Sequence, residues 1–364
     1  GWYKVGIAKQ RENEASPNEY QKIIFNERKR ERIAVAARHL GVDESKIHFI
    51  EHHLAHLAAA YFTAPGPLSG KPVLGLTCDG AGDGLCATVS RCLDNKIERL
   101  AATDRHASLG KIYSRVTFLL GMTPWEHEYK LMGLAPYGEP RFRDVILDAL
   151  IDLKADGTFR LNLDYFDYCT GLTMTNSKFD DLFGAPPRSS ESLLTQREMD
   201  LAASIQDVTE EIVLRLGRSI ASETGEKNLC LAGGVALNCV ANGKLLRDGA
   251  FENIWVQPAA GDAGGALGAA LAAYHHNGGG PRAVSGSTDC MSGSYLGPEF
   301  EQAEIERRLR DAGAEYTVLD PGETTNRSAQ ALADGKALGW FQGRMEFGPR
   351  ALGGRSILGD PRSP

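Results

Sequence analysis

The chain has 364 residues, with 40 Lys and Arg against 47 Asp and Glu and a net charge of −7. That length accommodates two domains with sizeable cores, and the acidic balance argues against a general nucleic-acid binder. No apolar run is long enough to span a bilayer and no secretory leader is read, so neither a membrane nor export is expected.

Residues 26–40 read as a charged amphipathic helix closed by Gly41, and Leu54 to Phe62 as an alanine- and leucine-rich helix stopped by Pro65-Gly66-Pro67. Pro72 to Cys78 reads as a buried strand running into the turn Asp79-Gly80-Ala81-Gly82-Asp83-Gly84, with Cys86 to Arg91 as its hairpin partner. Ser108 to Gly138 mixes helix with glycine-rich turns, and residues 155–190 read as a polar, proline-punctuated insertion with little periodicity. Leu193 to Glu223 is predicted to be one long helix, with Leu201, Ile205, Val208, Ile212 and Leu216 at helical spacing.

A strand (Asn228 to Ala232), a Gly-Gly turn, a helix to about Arg247, a strand (Asn253 to Val256) and a helix over Ala263 to Tyr274 follow. Alternating β and α predicts an α/β fold with a parallel sheet. Asn277 to Thr288 reads as a linker between a first domain (residues 1–276) and a second (289–364). The second opens with a strand at Tyr316 to Leu319, a helix at Asn326 to Asp334 and a strand at Ala337 to Phe341. The seven cysteines are scattered with no CxxC pair, which favours reduced thiols in a cytoplasm.

Four constellations could carry chemistry. On a helix, His52 and His56 share one face and could ligate a metal, while His53 points elsewhere; a plain pair of partly exposed histidines is the alternative. The Asp79 turn could aim N–H groups at an anion or hold a metal with its carboxylates, though it could equally be an ordinary Asp-Gly turn. Gly233 and Gly234, at a strand's carboxyl end, allow close approach of a nucleotide, and Asn238 and Asn242 on the next helix could donate to a ribose or base. Asp262 is by default a helix N-cap, but could also supply the carboxylate that the His pair lacks.

The last stretch, Gly343-Arg344-Met345-Glu346-Phe347-Gly348-Pro349-Arg350-Ala351-Leu352-Gly353-Gly354-Arg355-Ser356, sets arginines among glycines, which suits bidentate recognition of phosphate or carboxylate. The chain opens on Gly1 and stops just beyond this loop, and is expected to be a fragment.

In this order the motifs resemble the nodulation-protein and cephamycin type of O-carbamoyltransferase. The resemblance rests on Glu51-His52-His53-Leu54-Ala55-His56, the Asp79 to Asp83 turn, Glu128-Tyr129-Lys130 through Tyr137-Gly138, Ala232 to Asn238, Gly261 to Gly264, and Gly343 to Arg362. It implies an actin-like ATPase (ribonuclease H-like) duplicated domain, similar to the tRNA threonylcarbamoyl-transfer proteins, followed by the start of an adenylate-forming domain. Carbamoyl phosphate and ATP would give a carbamoyl adenylate, whose carbamoyl group passes to a hydroxyl of a small-molecule acceptor.

Carried over by residue, the resemblance implies His52, His56 and Asp262 as ligands of iron(II) or another divalent ion. It places Gly233, Gly234, Asn238 and Asn242 at the nucleotide, and Arg344, Arg350 and Arg355 on the phosphate-bearing substrate. His53, as general base, Lys130 and Asp79 are the expected catalytic groups. No nucleic acid or membrane partner is expected, and a homodimer is compatible with the reading. Asp83 stands where a glutamate is expected of the family. Rival readings are a sugar or acid kinase of the actin-like superfamily, a tRNA-modifying relative, and a scaffold without chemistry.

Overall fold

The computed structural model describes residues 19–68, 70–167, 175–282 and 289–362. The chain divides into two compact units, Gly1–Val284 and Ser285–Pro364. Residues 168–174 of the expected insertion and 283–288 of the expected linker lie outside the described residues.

The first unit is built on a five-stranded sheet in the order β3-β2-β1-β6-β7. β1 (Val73–Gly82), β2 (Leu85–Leu93) and β3 (Lys96–Asp104) form an antiparallel meander, and β6 (Asn228–Ala232) and β7 (Asn253–Val256) extend it in parallel from β1. β1 and β6 are buried on both faces at their hydrogen-bonded positions, as parallel strands covered by helices must be. β3 has no counterpart among the expected elements, because its polar, alternating residues become a strand only through pairing with β2.

The first helices are α1 (Glu19–Leu40), α2 (His52–Thr63), α3 (Leu109–Leu119) and α4 (Glu128–Leu134). Leading into the insertion, β4 (Ile151–Leu153) pairs with β5 (Phe159–Leu161) in a hairpin ahead of α5 (Ser177–Leu182). The insertion's described residues are less irregular than its composition suggests: Phe166, Phe179 and Phe183 are buried and stack edge to face in the main core. α6 (Gln196–Thr224) is the long helix, started by a Thr195–Glu198 capping box and stopped by Gly225 in the left-handed conformation. All five of its periodic apolar residues are buried. α7 (Cys239–Asp248) and α8 (Gly265–Leu271) follow β6 and β7; α8 is flanked by a 3-10 turn at Asp262–Gly264 and a π-turn at Ala272–Asn277.

In the second unit, α9 (Gln302–Asp311) and α10 (Pro321–Ala333) precede an antiparallel pair, β8 (Leu338–Phe341) and β9 (Arg355–Leu358). α10 starts earlier than its apolar spacing indicates, because Asp320 caps the Glu323 N–H at 2.9 Å and Pro321 occupies the first turn. The expected strand at Tyr316 to Leu319 is not formed: that run finds no pairing partner among the described residues and stays irregular. No helix among the described residues is long and apolar enough to cross a membrane.

Candidate metal centre

Three adjacent parallel strands, β1, β6 and β7, end at one edge of the sheet, the edge at which open α/β sheets bind ligands. The hairpin after β1 is tighter than the run of Asp and Gly suggests. Gly82 pairs with Leu85, so only Asp83 and Gly84 form the turn, both with positive φ (50° and 86°), as a two-residue Asp-Gly loop prefers. Between Cys78 and Gly82 the ladder breaks register, and this irregularity frees Asp79 from strand alternation.

α2 lies across this edge with His52 as its first residue. Its approach requires two glycines: a Cβ on Gly75 would meet the Leu57 side chain, and one on Gly82 would collide with the His52 ring. α8 comes equally close from the other side, since a Cβ on Gly268 would strike the Ala55 carbonyl. That approach brings Asp262, in the turn before α8, to the histidines. Sequence spacing alone could not reveal this contact, because the residues lie more than 200 positions apart.

The result is a set of four: His52, His56, Asp79 and Asp262, whose ligand atoms all lie within 4.8 Å of one another. His52 Nε2 is 2.8 Å from Asp79 Oδ2, 3.0 Å from His56 Nε2 and 3.7 Å from Asp262 Oδ1. His56 Nε2 is 3.6 Å from Asp79 Oδ2 and 3.3 Å from Asp262 Oδ1. Ligands about 2.1 Å from a tetrahedral ion are separated by about 3.4 Å, so these spacings suit one divalent cation. Asp79, expected among the catalytic groups and in a turn whose carboxylates could hold a metal, joins His52, His56 and Asp262 as a fourth donor.

The electrostatics agree. Burial disfavours a charged His56, yet the carboxylates of Asp262 and Asp79 overcome it and push the imidazole up to about 9. Burial works against an ionised Asp79 too, but His52, His56 and the Gly234 N–H hold its carboxyl far below the usual range. Contact with His56 lowers Asp262 against the effect of burial. Two carboxylates thus draw positive charge into a site of two imidazoles, which is the donor chemistry of a cation site.

The site also corrects a premise. His56 is not a partly exposed histidine at a helix start: it is 2% exposed, whereas a quarter of the His52 side chain is open. His56→Ala is therefore expected to lower unfolding stability by about 1–3 kcal/mol and His52→Ala by under about 1 kcal/mol. Urea unfolding of the metal-free proteins measures both, and equal midpoints would contradict the burial difference.

The remaining expected residues are placed as follows. His53 is fully buried, with Nδ1 2.8 Å from Thr77 Oγ1 and its imidazole pushed down by burial. His53 thus faces Thr77 in the interior, away from the ligand-bearing imidazole edges. Gly233 and Gly234 do converge on Asp79: Gly233 has φ 88° and room only for hydrogen beside the Cys78 carbonyl, and the Gly234 N–H donates to Asp79 Oδ1 at 3.0 Å.

Asn238 exchanges hydrogen bonds with Gln206 (2.9 and 3.1 Å) and caps the Ala241 N–H, and Asn242 donates to the Ala236 carbonyl at 2.7 Å. Both amides thus hold the turn between β6 and α7. Lys130 is exposed on α4, while Glu128 accepts from the Ser114 hydroxyl and the Trp125 N–H.

In the second unit, Arg344 donates to the Gly297 carbonyl at 2.9 Å and to Glu299 at 3.0 Å, and Arg355 to the Gly348 carbonyl at 2.5 Å. Glu346, to which no role was assigned from sequence, organises this loop. It is 1% exposed, and its Oε1 accepts from the N–H groups of Leu352 (2.7 Å), Gly354 (2.7 Å) and Arg355 (3.3 Å). Burial opposes its charge, but these donors hold its carboxyl down to about 2.

The fold and the four-donor site occur in a chain whose residues 9–271 match the carbamoyltransferase N-terminus and whose residues 329–364 match the carbamoyltransferase C-terminus. The chain belongs to the carbamoyltransferase family. It is 56% identical over 317 residues to an uncharacterised protein of Synechocystis sp., covering 86% of this chain and 51% of that protein. It is 39% identical over 323 residues to nodulation protein NolNO of Sinorhizobium fredii (88% of this chain, 44% of that one). Nodulation protein NolO of Bradyrhizobium diazoefficiens is 38% identical over 317 residues (86% and 54%). The chain thus spans about half the length of these curated relatives. A full-length HypF solved in a phosphate- and nucleotide-bound form is similar at 18% identity over 62% of this chain and 35% of that one, with a TM-score of 0.33; so loose a likeness carries no argument.

Proposed function

We propose that the chain carries the transfer site of an ATP-dependent O-carbamoyltransferase, in which a carbamoyl group derived from carbamoyl phosphate travels as a carbamoyl adenylate to a hydroxyl of a small molecule. The observation that carries this reading is the convergence of His52, His56, Asp79 and Asp262 at the carboxyl ends of β1, β6 and β7 in a chain of this family. The antiparallel meander continued by two parallel strands supports assigning the first unit to the actin-like, ribonuclease H-like class.

In the transfer step the acceptor oxygen bonds to the carbamoyl carbon, the bond from that carbon to the adenylate oxygen breaks, and AMP leaves with the electron pair as the hydroxyl proton passes to a base. A divalent ion, with iron(II) as the proposed identity, would neutralise the phosphate and polarise the carbamoyl oxygen. His52, His56, Asp79 and Asp262 would hold it. Asp79 has a second duty, since its other oxygen fixes the Gly234 N–H and so sets the Gly-Gly turn against which the nucleotide would lie. Arg344, Arg350 and Arg355 are proposed to receive the phosphate-bearing substrate in the second unit, and Lys130 to face the reacting groups.

Elemental analysis and ATP binding with and without a chelator test this reading. Stoichiometric resident metal and chelator-sensitive ATP binding are expected. ATP binding that needs only added magnesium, with no resident metal, would overturn it in favour of a kinase.

A further inference from the structure

We propose that Asp83 is a positioning residue that sets the distance between the two halves of the metal site; this rests on the metal reading above. The halves come from different elements. The β1–β2 hairpin supplies Asp79, and α2 supplies His52 and His56. Asp83 lies in that same hairpin, and its Oδ2 accepts the backbone N–H of His52 at 2.9 Å, across 31 positions of sequence.

The start of a helix leaves several N–H groups without intrahelical partners. In α2, Glu51 takes two of them, His53 at 3.1 Å and Leu54 at 2.9 Å, and pairs with Arg99 from β3. Glu51 precedes the helix directly, so those two bonds hold the helix to its own flank. The Asp83 bond instead ties the first ligand-bearing residue to the hairpin that carries another ligand. Gly82 completes the junction, because only a residue without Cβ leaves room for the His52 ring above the strand.

The backbone at Asp83 is also informative. Its φ of 50° is the left-handed value that the first residue of a two-residue Asp-Gly loop takes. Glycine would keep that turn, but would remove the carboxylate on which the His52 N–H rests.

The test uses the whole chain and cobalt(II), followed by its visible absorption and by equilibrium dialysis. Asp83→Gly removes the carboxylate while keeping the turn, so loss of folding does not confuse the result; thermal melting checks this. Asp83→Gly is expected to weaken cobalt binding about 10- to 100-fold and alter the absorption band, as loss of an outer-shell partner does. Asp83→Asn keeps an acceptor oxygen and tolerates the left-handed turn, and is expected to restore the affinity to within about threefold. Glu51→Ala, a helix-cap loss of similar size, is expected to lower the melting temperature with a smaller effect on cobalt.

Wild-type affinity and spectrum in Asp83→Gly would overturn the positioning role while leaving the metal reading intact. Unchanged cobalt binding in a His52→Ala/His56→Ala double variant would instead overturn the metal reading, and this inference with it.

Discussion

Replacing Asp79 with asparagine is expected to weaken divalent-metal binding by more than about a hundredfold, beyond the cost of losing an outer-shell partner. The carboxylate acts in two directions: Oδ2 lies 2.8 Å from His52 Nε2 and 3.6 Å from His56 Nε2, and Oδ1 accepts from Gly234. An amide has one acceptor oxygen and one donor nitrogen, so asparagine must turn its NH2 either toward the Gly234 N–H or toward the imidazoles. Either choice leaves a donor facing a donor or removes the anionic ligand. Asp262 makes the instructive contrast, because its side chain is 80% exposed and solvent screens its charge. Asp262→Asn is expected to lose less affinity than Asp79→Asn. Isothermal titration with zinc or cobalt measures both, and wild-type affinity in Asp79→Asn would remove Asp79 from the ligand set.

The second large effect is expected at Glu346→Gln, in the arginine-rich loop. One buried carboxylate oxygen gathers the N–H groups of Leu352, Gly354 and Arg355, and Arg355 Nε stands 3.5 Å from the other oxygen. Charge-assisted bonds of this kind are about twice as strong as neutral ones, so the amide should loosen the return of the loop into β9. Hydrogen exchange is expected to show faster labelling of residues 352–355 in Glu346→Gln, with α6 unchanged.

The pH dependence has a definite sign. The carboxyl is held below its ordinary value of 4.5, to about 2. Its stabilisation is therefore complete above about 4.5 and fades as pH falls toward about 2. The protection difference between wild type and Glu346→Gln is expected to be full at pH 6 and to close in that window. A difference that is constant down to pH 2, or absent at pH 6, would mean that the carboxylate does not organise the loop.

Much of the architecture is legible in the sequence. The 3.6-residue spacing of Leu201, Ile205, Val208, Ile212 and Leu216 fixed α6, because that pattern leaves only one face to bury. The apolar runs at Pro72 to Cys78 and Asn228 to Ala232 marked strands, and both are buried there. The helical spacing of His52 and His56 offered a shared imidazole face. What local sequence could not decide was anything set by a partner far along the chain. β3 exists because β2 pairs with it, and the described parts of the insertion pack because three phenylalanines reach the main core.

The site divides along the same line. Residue type and spacing gave the donor chemistry, and the family resemblance proposed Asp262 as a third ligand. Tertiary structure brought Asp79 to the two histidines, buried His56 and enclosed His53. Those outcomes depend on glycines at 75, 82 and 268 that let α2 and α8 approach closely, a condition of space between elements that periodicity does not encode. The sequence by itself thus determined which groups this protein can offer, since side-chain chemistry and local period are properties of the chain. Only the tertiary structure decided which of them meet, because their distances depend on how closely the backbones of separate elements can pack.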